Sequence, residues 1–203
     1  MKLRLFSLIL LLFFITIKCI QSKSVIRSYV IIQDKPPKFK PLTDFSVFDS
    51  REKNRLYLIR TISTDLDMII LGDYRTKKMV GKVEGKWTNG IFDVNLLIYD
   101  EKSSKWIKGT MKRISKVFSS KYQIRWNGVS LIVKRNMFRK TIKVYEEVSK
   151  EVQAQFRYRS IWRSGLKYKY DLKIFITKVP DAILFLALTI THHTENLQPT
   201  INK

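Results

Sequence analysis

Two histidines, His192 and His193, stand side by side in this 203-residue chain. Neighbouring residues project to different sides, so the pair does not offer one metal ion the i, i+4 geometry that puts two imidazoles on one helical face. The two follow an apolar stretch, so they are expected at the C-terminal end of a helix, where positive charge is favourable. Carboxylates pair as Asp65/Asp67 and as Glu146/Glu147. Hydrolysis by two carboxylates needs a pocket that holds one of them protonated. The first pair falls in a turn-like Ser-Thr-Asp-Leu-Asp stretch and the second at a strand end, so both read as structural. The chain offers no Ser/His/Asp order and no Gly-rich phosphate loop. The expectation is a protein that is not an enzyme and carries no cofactor or metal.

The other chemistry is charge. Thirteen Lys or Arg residues and no Asp or Glu lie between Lys102 and Tyr145, within a chain of formal charge +22. Apolar and aromatic residues alternate through the run (Tyr122, Ile124, Trp126, Leu131, Val133, Ile142, Val144), so it is a folded surface rather than a tail. A surface that repels itself this strongly is expected to meet something negative; the alternative is a solvated face kept for solubility. Lys121 and Arg125 share one side of a strand with Gln123 between them. Arg157 and Arg159 share a side of another, and Arg139 and Lys140 sit at a strand entrance. These six are the candidate anion-binding residues, because residues at i, i+2 and i+4 project from one face of a sheet. Among Trp87, Trp106, Trp126 and Trp162, core or rim packing is the ordinary role. Trp162, between Arg159 and Arg163, is the candidate for stacking.

The N-terminus reads as an address. Lys2 and Arg4 precede the apolar run Leu5 to Ile17, which Lys18 ends. Thirteen residues are too few to span a bilayer, which needs roughly 20, and they match the apolar core of a secretory signal. Residues 1–22 are therefore expected to be a signal peptide on a secreted, extracellular protein, with an uncleaved anchor as the alternative. Cleavage would remove three positive charges and Cys19, the one cysteine of the chain. The rest would have no disulfide and would rely on its core alone. About 180 residues suffice for one full-sized domain.

Residues 23–44 read as an N-terminal arm, with a first extended piece over 23–33 and then Pro36, Pro37 and Pro41, which bar a central strand. Residues 45–203 read as one domain of roughly ten short strands, with hairpin turns at Asn89-Gly90 and Asn127-Gly128. From Val152 to Tyr158, Val152, Ala154, Phe156 and Tyr158 are expected inside and Gln153, Gln155, Arg157 and Arg159 outside. Such spacing points to a sandwich or barrel. After Pro180-Asp181 the pattern breaks into a segment apolar on every side, including Ala182, Leu184, Phe185, Leu186 and Leu188. A helix hydrophobic all round is buried all round. At nine to twelve residues it belongs on the axis of a barrel; a last buried strand is the alternative.

These features together resemble the tubby C-terminal-like superfamily, which includes tubby proteins, phospholipid scramblases and the LURP-one-related proteins of plants. The residues that carry the likeness are Ala154-Gln-Phe-Arg-Tyr-Arg, Lys169-Tyr-Asp-Leu-Lys-Ile and Val179-Pro-Asp-Ala-Ile-Leu-Phe-Leu-Ala-Leu-Thr-Ile, over about residues 45–195. The resemblance implies a mainly β fold: a closed antiparallel barrel of about twelve strands around a buried hydrophobic C-terminal helix. It also implies anionic phosphoinositide binding or lipid movement. The chain departs from scramblases in having no cysteine-rich tract and no acidic calcium loop, and a tubby-type lipid site has no residue-by-residue counterpart. The expected function is non-catalytic binding of an anionic lipid surface or a glycosaminoglycan-like polyanion, by a monomer, without specific nucleic-acid recognition. A lipocalin-like carrier of a small apolar ligand is the rival.

Overall fold

Period-two alternation folds here into twelve antiparallel strands: β1 Arg27–Gln33, β2 Phe45–Asp49, β3 Arg55–Ser63, β4 Asp67–Asp73, β5 Met79–Gly85, β6 Asp93–Asp100, β7 Lys105–Ser115, β8 Lys121–Trp126, β9 Val129–Asn136, β10 Thr141–Glu146, β11 Val152–Arg159 and β12 Lys169–Ile174. Among the described residues one helix follows, α1 Asp181–Asn196. The computed structural model describes residues 24–34, 43–63, 67–85, 93–115, 120–136, 141–159, 168–176 and 178–196. Each strand pairs with its sequence neighbours, and β1 pairs with β12, so the sheet closes into a barrel. Closure removes both sheet edges. Inward residues such as Ile31, Ile59, Leu96, Ile124, Val144 and Leu172 form one core with the helix.

The alternation in β8 is as the sequence predicts: Tyr122, Ile124 and Trp126 are buried, while Lys121, Gln123 and Arg125 face out. The hairpin after it turns at Asn127 and Gly128, with φ of 45° and 75°. Those two positive values are what a two-residue turn matching strand twist requires. Four other turns at this end of the barrel use an acidic residue and then a non-glycine residue in the left-handed region. Asp49, Asp73, Asp100 and Glu146 open them, and Glu52, Lys77, Ser104 and Lys150 take the positive φ. Side-chain oxygens accepting from the turn, such as Asp73 Oδ1 from the Thr76 N–H at 2.6 Å, hold the strained residue in place.

The helix is buried on every side from Ile183 to Thr194. Phe185 lies edge-on to Tyr29 at 5.1 Å between ring centroids and against Tyr57 at 5.3 Å. Gly81 makes room for it, since a Cβ there would come within 3.3 Å of Leu186 Cδ1. The helix continues past its apolar half because its threonines satisfy themselves. Thr189, Thr191 and Thr194 donate to the carbonyls of Phe185, Leu188 and Ile190 at 3.1, 2.8 and 2.8 Å. Hydroxyls that bond back to the preceding turn tolerate burial. At the entrance, Asp181 accepts from Arg27 Nη2 at 2.6 Å and from the Tyr29 hydroxyl at 2.7 Å, tying the helix to β1.

Several expectations change. The helix has sixteen residues rather than nine to twelve, and a final strand is excluded. His192 and His193 do not cap its exposed end but lie inside it, 3% and 1% exposed. β2 is a strand the sequence reading did not separate, and the wall begins before residue 45, since β1 is hydrogen-bonded to β2 and β12. Gln153 is buried rather than outward, because the register between β10 and β11 shifts at Val144/Tyr145 and Gln153 is the extra residue of that bulge. The segment 1–22, the prolines of 35–42 and the Asn89-Gly90 turn lie outside the described residues.

Phe185→Ala should cost about 3–5 kcal/mol, as large aromatic truncations in cores do, read as a lowered urea midpoint. Leu184→Asp should yield no folded protein, because an unpaired buried charge costs several kcal/mol; circular dichroism and gel filtration check this.

Candidate anion-binding face

Register decides which surface cations meet. Lys121 of β8 lies opposite Lys134 of β9, and Lys134 lies opposite Lys143 of β10. Lys143 faces Gln155 of β11, Gln155 faces Lys173 of β12, and Lys173 faces Ser28 of β1. All lie on the outer face, since their strand neighbours Tyr122, Val133, Val144, Ala154 and Leu172 are buried inside. The result is a row of four lysines across five consecutive strands, broken only by Gln155. Directly opposed residues have Cβ atoms about 4.5–5.5 Å apart, and like charges there destabilise a sheet. No ion pair involves any of the four lysines among the described residues.

Most of the acids that could neutralise this row are engaged elsewhere, although Glu151 and Asp171 border the groove that Lys143 and Lys173 line. Asp49, Asp73, Asp100 and Glu146 brace turns. Asp34 accepts from Ser46, and Asp44 from the Thr61 N–H. Glu84, Asp93 and Asp181 pair with Lys82, Lys112 and Arg27. Half of the lysine row also lines a groove of about 1160 Å³ on the outer wall: Lys143, Gln155, Lys173 and Ser28 all border it, with Val30 and Arg157 alongside.

The six sequence candidates separate. Lys121 belongs to the row. Arg125 is exposed on the same strand face, four residues along. Arg157 is exposed, borders the groove and lies opposite Asp171. Arg159 is removed from the site, because it forms a fork with the Asp171 carboxylate and a 2.6 Å bond to Glu52, which Lys169 also holds. Arg139 and Lys140 lie outside the described residues. The thirteen-base run is not one surface either. Arg113 and Arg135 share the strand side of buried Met111 and Val133, so they point into the barrel. Arg113 Nη2 is 3.4 Å from Ser120 Oγ, and its guanidinium lies 6.0 Å from the Tyr122 ring centre. Burial pulls the pKa of Arg135 down. Lys112 is 3.6 Å from Asp93.

The residues that could have done other chemistry are accounted for locally. Glu146 is held below its ordinary value by Lys178 and Ser149, and Glu147 by Ser130 and Gln123, so neither is a proton donor at neutral pH. His193 Nε2 lies 3.0 Å from the Thr43 carbonyl oxygen, so that nitrogen carries the proton. His192 Nδ1 lies 2.9 Å from the Tyr170 hydroxyl. Burial lowers both histidines, to about 3 and about 4, with mutual repulsion and Arg135 adding to the effect at His192. Among the described residues, no group of three or more His, Cys, Asp or Glu could hold a metal ion, and no helix is long and apolar enough to cross a membrane. Trp126 is core and Trp106 is 39% exposed against Tyr99; Trp87 and Trp162 lie outside the described residues.

Sequence reasoning missed Lys134, Lys143 and Lys173 as members of the site. Each was visible as an outward residue of its strand, but their alignment is a property of register. No family model matches the chain, and no curated protein matches it significantly.

The histidine pair gives a signed prediction. In the unfolded chain both take a proton near their ordinary 6.5, but in the folded barrel not until about 3 and about 4. Their contribution is fully present above pH 6.5 and is lost as pH falls towards 4. Each histidine adds roughly 1.4 kcal/mol per pH unit to that slope. Urea titrations between about pH 5.5 and 4.5 should show the slope falling by that amount in His192→Phe.

Proposed function

We propose that this protein is an exported, non-catalytic binder of polyanionic partners and that the lysine row is its binding face. The carrying observation is four outward lysines aligned across β8 to β12 that form no ion pair among the described residues. Opposed like charges oppose folding, so a row of directly opposed lysines is costly to the free protein and favourable to an anionic partner. Each lysine near an anionic surface contributes about 1 kcal/mol, and several acting together give real affinity. Twelve strands closed around a C-terminal helix support the likeness to the tubby C-terminal-like superfamily, whose members engage anionic lipid. The lipocalin-like alternative is disfavoured, because α1 occupies the lumen that a carrier needs for its ligand. Export rests on the N-terminal signal pattern.

Wild-type protein should be retained on immobilised heparin and on acidic liposomes and be released by salt, since exposed charges are screened over about 8 Å at physiological ionic strength. Changing Lys121, Lys134, Lys143 and Lys173 together to Glu should abolish retention at physiological salt. Arg159→Glu should leave retention in place and lower thermal stability instead, because that arginine is already bound to Asp171 and Glu52. Unchanged elution of the quadruple variant would mean that the row is only a solvated face.

A further inference from the structure

The direction of the lysine row discriminates between a flat and a flexible partner; this step rests on the polyanion-binding reading above. The row follows the hydrogen-bonding direction, so it winds obliquely around the barrel. Neighbouring strands lie about 4.8 Å apart, so Lys121 to Lys173 covers about 19 Å of wall over four steps. Twelve strands close the barrel, and strands in a closed barrel tilt by about 40° to its axis, so along this oblique row the outward normal turns by roughly 18° per strand and by roughly 70° from β8 to β12. A planar bilayer touches one tangent of such a wall and meets the end lysines, Lys121 and Lys173, less closely than the lysines between them. A flexible chain can bend around it.

The chemistry of the row narrows the chain. Its charged members are all lysines, which act as compact point charges on sulfate and phosphate alike and lack the planar fork by which arginine reads bases and stacks. Its remaining members are an amide, Gln155, and a hydroxyl, Ser28. No aromatic ring stands in it to stack on a base, which single-strand nucleic-acid binding relies on. The groove bordered by Lys143, Gln155, Lys173 and Ser28 gives half the row depth as well as charge. Asp171 and Glu151 also border the groove; Arg159 holds Asp171 and Arg157 faces it, and Lys150 borders the groove beside Glu151.

We propose that the ligand is a flexible, linear sulfated polysaccharide that wraps around the barrel from β8 to β1. Sulfates would meet Lys121, Lys134, Lys143 and Lys173 in turn, and sugar hydroxyls would meet Gln155 and Ser28 where the row lacks charge.

The test measures affinity for heparin fragments from disaccharide upward, for phosphatidylserine vesicles and for single-stranded oligothymidylate of matched charge. Affinity should rise with fragment length until a fragment spans the row and then level off. Heparin should bind at least tenfold more tightly than the vesicles or the oligonucleotide. Lys121→Ser, at the far end from the groove, should weaken long fragments severalfold and leave the shortest ones unchanged. Lys173→Ser, in the groove, should weaken both. Lys108→Ser, an exposed lysine outside the row, is the control and should change neither, and thermal unfolding confirms that each variant is folded. If heparin binds but neither fragment length nor the two end variants matter, the wrapped chain is overturned while polyanion binding stands. Tighter binding to vesicles or oligothymidylate overturns the sulfated glycan in favour of a membrane or a nucleic acid. If no polyanion binds wild-type protein, both this inference and the reading beneath it fail.

Discussion

A closed sheet must have its interior filled, and in this protein one helix does most of the filling. Twelve strands enclose more volume than inward side chains alone can occupy, since barrels with many strands otherwise leave a cavity or channel. The segment after Pro180 supplies Ile183 to Leu188 as a solid apolar cylinder, and Phe185 wedges between Tyr29 and Tyr57. The outer surface can be as polar as it is because stability comes from this internal contact. A chain with no cysteine beyond residue 19 has no covalent staple to fall back on.

The distribution of acids follows from the same architecture. Antiparallel strands joined in sequence order need many turns, and at the described end of the barrel those turns are braced by Asp49, Asp73, Asp100 and Glu146. A chain with 17 acids against 39 bases that engages its carboxylates at turns and at the helix entrance has few to place on the wall. The unpaired row across β8 to β12 is thus a consequence of where turns are needed as well as of composition. Arg159 illustrates the limit of counting: it lies in a basic strand, yet Glu52 from a turn reaches it and removes it from the free surface.

Much of the fold was legible. Alternation in Lys121–Trp126 and the Asn127-Gly128 turn were read residue for residue, because period two and the positive-φ requirement are local. The all-apolar segment at Ala182–Leu188 signalled full burial for the same reason. The helix ran further than its apolar half suggested, since threonine back-bonding and tertiary burial of His192 and His193 do not show in a hydropathy pattern. The bulge at Gln153 was hidden because it depends on how two strands align. The site was legible only in part: Lys121 was named, but Lys134, Lys143 and Lys173 become its neighbours through register. Arg113 and Arg135 were counted as surface although strand parity places them inside. Charge is a property of composition, whereas its geometry is a property of pairing.

The seam between β1 and β12 carries a consequence for how the molecule is made. Residues Arg27–Gln33 pair with Lys169–Ile174, and the helix that fills the interior comes later still, at Asp181–Asn196. A helix cannot enter a cylinder through its wall, so the sheet must stay open until the helix has settled on it. Hairpins can form as the chain emerges, but the cylinder shuts only once Lys169–Ile174 has been made. Pairings this distant in sequence are slow to form. The Arg27 and Tyr29 bonds to Asp181 then fasten the first strand to the last element. Until then the earlier strands form an open sheet with two free edges.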